Sequence, residues 1–162
     1  MPYSQHQQTV IDTLHLDLDL YTDLHELLQG QQQFILRRDH QSLSQTAESI
    51  TTLMLQAREN RKKRSEAMKH LQMQNTQTGM AQFLHHLQHP DKQGLQEDWD
   101  ELMDLVEDCR QVNQVNDQAL TMQHKLTERA LNQLRVEEKG AETYSSTGQE
   151  TLPNRSVLNI QA

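Results

Sequence analysis

Residues 43–71 read LSQTAESITTLMLQARENRKKRSEAMKHL. Within this stretch Leu43, Ala47, Ile50, Met54, Ala57, Arg61, Arg64, Met68 and Leu71 recur at alternating steps of four and three. That is the heptad spacing of helices that wind around one another, whereas a half-buried strand would alternate at every second residue. At about 1.5 Å per residue such a seam is roughly 40 Å long. The chain is therefore expected to be built from long helices packed lengthwise, not around a thick globular core.

Toward the N-terminus, residues Ser4 to Leu36 carry Val10, Ile11, Leu14, Leu18, Tyr21, Leu24, Leu28 and Ile35, mostly three or four apart. This makes one side of a helix apolar. Leu14, Leu16, Leu18 and Leu20 alternate with His15, Asp17 and Asp19 as a strand would, but the spacing on either side and the shortage of β-branched residues favour helix. Leu16, Leu20 and Leu27 widen the apolar face enough to need more than one helical neighbour. Arg37 and Arg38 suit the negative end of this helix, and Asp39 is placed to cap the next one.

Toward the C-terminus, Asn75 to Gly79 form a break and Met80 to Leu87 a two-turn helix, closed by Pro90 and Gly94. The last helix is expected from about Leu95 to Val136. Trp99, Leu102, Val106, Cys109, Leu120, Ala130 and Leu134 lie along one line of it. Leu105, Val112, Val115, Ala119, Met122 and Leu126 lie along a second, so this helix too has apolar surface for two neighbours. Residues 58–69 hold six cationic and two anionic side chains, whereas Asp12, Asp17, Asp19, Asp23 and Glu26 leave the first helix purely acidic until Arg37. The last helix also begins acidic. Helices that fold back on one another would set the basic band against both acidic stretches, which selects an antiparallel layout while adding little stability per exposed pair.

The resulting fold class is all-α: an elongated antiparallel bundle of three long helices with one short helix between the second and third, coiled-coil-like packing and a flexible C-terminal tail. The helical domain is drawn at residues 1–136 and the tail at 137–162, where the sequence turns polar and rich in Ser and Thr. That tail nonetheless contains Tyr144 and ends on a short apolar cluster, Val157, Leu158 and Ile160, of a kind that often orders on binding.

Composition narrows the chemistry. With 34% hydrophobic residues, 24 glutamines and 23 leucines, the chain favours long thin helices. A single cysteine excludes an intrachain disulfide, and no run approaches the roughly 18 apolar residues of a membrane span. The protein is thus expected to be cytoplasmic, with no direct membrane insertion. A net charge of −8 argues against nucleic-acid binding, and the basic run Arg61 to Arg64 reads as a charge-pairing face. His85 and His89 lie one helical turn apart beside His86, but without an acidic third ligand they read as a solvated cluster and not a metal site. No phosphate-binding loop, no catalytic residue and no cofactor motif is found, because the many carboxylates repeat along helical faces instead of converging. Asn113 and Asn116 fall on the apolar line of the last helix; they either mark where that face turns to water or act as structural polar pins that fix register.

The run WDELMDLVEDCRQVNQVNDQALTMQHKLTERALNQL, residues 99–134, followed by ETYSSTGQ, residues 142–149, resembles the flagellar type III export chaperones of the FlgN family. Trp99, Leu102, the Cys109-Arg110 pair, Asn113, Asn116, the run Arg129 to Leu131, Tyr144 and Gly148 carry the resemblance, which covers roughly residues 5 to 149. Asp117 stands where a glycine is common in the family, and residues 150–162 match nothing in it. The resemblance implies a chaperone, not an enzyme, that escorts hook-associated proteins of the hook–filament junction by their C-terminal helices to the export apparatus. On that basis Val112, Val115, Ala119, Met122 and Leu126, with Leu131 and Leu134, are the expected cargo-binding surface, though the same residues could be bundle core. Tyr144 is the residue implied for docking on the cytoplasmic domain of the export gate, with the export ATPase complex as a further partner. The competing class is a structural coiled-coil protein that homo-oligomerises through the same seams without cargo.

Overall fold

A computed structural model describes residues 4–140. It comprises α1 (Gln5–Arg37), α2 (His40–His70), α3 (Gln77–His86) and α4 (Lys92–Lys139). Each boundary has a local cause. Ser4 opens α1 with a capping box, its Oγ accepting from the Gln7 amide while the Gln7 side chain accepts from the Ser4 amide. Arg38 then takes a left-handed conformation, φ 54°, that turns the chain sharply. Asp39 caps α2 by accepting from both the amide and the hydroxyl of Ser42. Those bonds, above all the one from the Ser42 hydroxyl, hold its carboxyl below the ordinary range.

The break expected at 75–79 lies instead at 71–76, between the end of α2 and the start of α3. Gly79 lies inside the first turn of α3, where a Cβ would stand 1.8 Å from the Gln74 carbonyl oxygen, and its amide donates to Thr76 Oγ1. The glycine is there for that close approach. The last helix is longer than its apolar spacing implied, beginning three residues earlier and ending three later. The tail residues Tyr144, Gly148, Val157, Leu158 and Ile160 lie outside the described residues.

Contacts fix the directions of the helices. His6 stacks on His70 at 4.4 Å, and Asp17 meets Asn60 and Arg64, so α1 and α2 run antiparallel. α4 runs parallel to α1, for its partners advance together along the two helices, and α3 closes the end where α2 finishes and α4 begins. α1 thus serves both neighbours, while α2 and α4 make no close backbone approach to one another. Val10, Leu14, Tyr21, Leu24 and Leu28 of α1 join Ile50 and Met68 of α2, Phe83 and Leu84 of α3, and Leu95, Leu102 and Cys109 of α4 in one core.

The α2 seam needs correction at two positions: Ile50, Ala57, Arg64 and Met68 are buried where the spacing places them, whereas Ala47 and Arg61 are exposed, and Thr46 and Ala67 beside the seam are buried. One seam position is charged. Asp17 and Arg64 are each 1% exposed and pair at 2.5 Å, with Asn60 Nδ2 donating to the other Asp17 oxygen at 2.9 Å and Arg64 Nε donating to Asn75 Oδ1 at 3.2 Å. Arg64 thus keeps its seam position as a buried charge, while Leu16 of α1 is 53% exposed and does not widen the buried face. Within the basic band of α2, Arg64 pairs with Asp17 of α1, and Asp98 of α4 pairs with His15 of α1 at 3.1 Å.

Candidate functional site

The face of α4 toward α1 is held by a repeating polar device. Cys109 Sγ donates to the Tyr21 carbonyl at 3.6 Å, Asn116 Nδ2 to the Leu28 carbonyl at 2.8 Å, and Gln123 Nε2 to the Ile35 carbonyl at 2.9 Å. Donors and acceptors both step by seven, so every rung spans the same 88 residues of sequence. Seven residues complete two helical turns and return a side chain to almost the same face. Asn116 is 1% exposed and also donates to Gln31 Oε1, while among the described residues nothing donates to its Oδ1. At this point, then, α4 does not turn its seam to water. Asn113 is half-buried beside it. Gln123 was not anticipated, and the signal was available: it stands one heptad after Asn116.

Burial sets the chemistry of the first rung. Both Tyr21 and Cys109 are fully buried. The Tyr21 hydroxyl is pushed up to about 12, by burial first and then by the Asp17 and Cys109 charges. Burial, with the Asp108 carboxylate adding to it, pushes the Cys109 thiol up to about 12 as well. Cys109 is accordingly a packing residue at neutral pH and not a nucleophile.

Above the last rung α1 ends, and α4 does not. From Gln123 to Lys139 is sixteen residues, about 24 Å of helix at 1.5 Å per residue. Every residue from His124 to Lys139 is exposed, including Leu126 at 52%, Leu131 at 50% and Leu134 at 57%. The anticipated surface residues divide accordingly. Val112 packs against the core and Ala119 is half-buried, while Val115 and Met122 are exposed, Met122 at 65%. At 100° per residue, Val112, Val115, Ala119, Met122 and Leu126 share a strip roughly 80° wide. Leu131 and Leu134 swing toward the side that α1 covers lower down. One apolar surface thus begins on the flank of the bundle and continues along a helix end that is exposed among the described residues.

The other candidates are spread out or occupied. The rings of His85 and His86 meet edge to face at 5.2 Å, and His89 Nδ1 accepts from the Asp91 amide at 3.0 Å. Among the described residues no group of three or more His, Cys, Asp or Glu is placed to share a metal ion. Arg64 of the basic run points inward, and no described helix is long and apolar enough to cross a membrane.

These features define an all-α protein, a hairpin joined by a third long helix whose apolar end outruns its support. Known proteins agree with that description. The chain belongs to the FlgN family, whose model, described as FlgN protein, matches residues 1–151. A solved structure from Pseudomonas aeruginosa, described as a flagella synthesis protein FlgN, is similar at 27% identity and a TM-score of 0.65, covering 74% of this chain and 90% of that one. No curated protein matches the chain. Family membership supports a role in flagellar assembly.

Proposed function

We propose that the chain is a cytoplasmic export chaperone that binds the C-terminal helices of hook-associated proteins and delivers them, unassembled, to the flagellar type III export apparatus. The observation that carries this reading is the uncovered apolar end of α4, continuous with the strip through Val115, Ala119 and Met122. An amphipathic helix awaiting assembly exposes a stripe that aggregates, and laying it along another helix's apolar face covers both. Met122 suits such a face because its unbranched thioether adapts to several partners. Release requires no covalent chemistry, so the reading is of a binding protein and not an enzyme. In this reading residues 1–136 hold the cargo, while residues 137–162 contact the export machinery, with Tyr144 docking on the cytoplasmic domain of the export gate and the ATPase complex as a further contact.

The test is titration of each hook-associated protein's C-terminal helix, as a peptide, into the full chain by calorimetry. Leu126→Asp, at an exposed position, leaves the far-UV spectrum unchanged and weakens binding about tenfold or more, corresponding to the ~1.5–3 kcal/mol of one buried leucine. The competing reading is a homo-oligomeric coiled coil. A stable oligomer by light scattering that ignores every such peptide would overturn the chaperone reading.

A further inference from the structure

The apolar end of α4 has a candidate occupant within the same chain. The family model stops at residue 151, and the apolar cluster Val157, Leu158 and Ile160 lies beyond it. A contact made by this cluster is therefore a property of this chain and not one inherited with the family. The cluster gathers three apolar side chains within four residues of sequence.

The length of the connection favours a local docking site. Sixteen residues, seventeen Cα steps, separate Gly140 from Val157, and residues 141–156 read AETYSSTGQETLPNRS, a linker composition. For a flexible chain of that length the root-mean-square span is roughly 21–25 Å, from about 5–6 Å times the square root of the residue number. Along α4, Leu126 lies fourteen residues before Gly140, about 21 Å away. Effective concentration is greatest when linker length matches the span, and for short flexible linkers it reaches the millimolar range. A contact of only three side chains, too weak to form between separate molecules, can then be populated within one. A second copy would have to match that local concentration from solution.

We infer that Val157, Leu158 and Ile160 dock intramolecularly on α4 around Met122 and Leu126, and that a helical ligand must displace them. The displacement rests on the chaperone reading; the docking does not. With an effective concentration near the contact's own dissociation constant, the tail occupies the face about half the time or somewhat more. It therefore lowers ligand affinity by about two- to fivefold. Such a tail covers apolar surface when cargo is absent and yields to it at little cost.

A spin label on Ser156→Cys reports docking without any cargo, since buried Cys109 need not be replaced. The expected result is broadening of the Met122 methyl signal in the full chain, independent of protein concentration and lost in the Val157→Ser, Leu158→Ser, Ile160→Ser triple variant. No broadening, or broadening that grows with protein concentration and so reports a second copy, overturns the inference. In calorimetry the triple variant should bind the junction-protein peptide two- to fivefold more tightly than the parent, and equal or weaker binding overturns displacement. If no peptide binds either form, the chaperone reading fails, and the spin-label result still decides whether the tail docks.

Discussion

Replacing Arg64 by methionine should be the most damaging single change in the α1–α2 hairpin. The pair it breaks is dry: the side chains of Arg64 and Asp17 are 1% and 2% exposed. After Arg64→Met, Asp17 retains only the Asn60 amide at 2.9 Å, and Asn75 loses the Arg64 Nε donor. Breaking a buried pair from one side costs about 3–5 kcal/mol, and the lost Asn75 bond adds about 0.5–1.5 kcal/mol. At roughly 2–4 °C per kcal/mol for a chain of this size, the melting temperature should fall by about 7–26 °C. Removing the carboxylate as well, in Asp17→Leu with Arg64→Met, should recover most of the loss, because two well-packed apolar side chains replace a buried pair at little net cost. Urea unfolding followed by circular dichroism at low and 0.5 M salt measures both effects. Because the pair is shielded from solvent, salt should leave the deficit unchanged. A single variant within 1 kcal/mol of the parent, or a deficit that vanishes in salt, would refute the argument.

Other consequences follow from the same contacts. Gly30 lies inside α1 with open space where a Cβ would stand, so Gly30→Ala should stabilise by about 0.5–1 kcal/mol, whereas Gly79→Ala must push the Gln74 carbonyl aside and should lower the melting temperature. Asn116→Leu removes the buried Oδ1 that has no donor among the described residues, along with two hydrogen bonds. Unfolding free energy should change by less than about 1–2 kcal/mol, while cross-linking between α1 and α4 should report more than one register; a single unchanged register would show that Asn116 is not a pin. Tyr21 and Cys109 both titrate higher in the folded chain, near 12 against ordinary values of 10 and 9, so their stabilisation is complete below about pH 9 and is lost as pH rises toward 12. Urea midpoints should decline across that window, and less steeply in Tyr21→Phe with Cys109→Ala; equal slopes would count against the assignment.

The helices were legible because their signals are periodic and redundant. The Asp39 cap, the helix end at Arg37 and Arg38, the heptad of α2 and the apolar stripes of α4 were all readable from residue type and spacing. What escaped was the inward-facing charge. The charge pattern set the acidic stretch of Asp17 against the basic band of Arg64, but as exposed pairs of little worth. Only the meeting of two helices can satisfy both charges away from water, and that meeting is tertiary. The uncovered surface was partly visible as a doubled stripe on the last helix. Its position past the end of α1 follows from the parallel register, which no local pattern encodes.

The ladder from Cys109 to Gln123 also makes the protruding length of α4 a quantity that can change only in fixed increments. Each rung repeats after seven residues, so removing one heptad beyond Asn116 would bring Ala130 opposite Ile35 and shorten the overhang by about 10.5 Å while keeping the apolar strip on the same side. Removing two or five residues would rotate that strip away from the flank of the bundle with which it is continuous. The helix therefore behaves as a ruler graduated in heptads, and the length of partner helix it can cover is set by whole divisions.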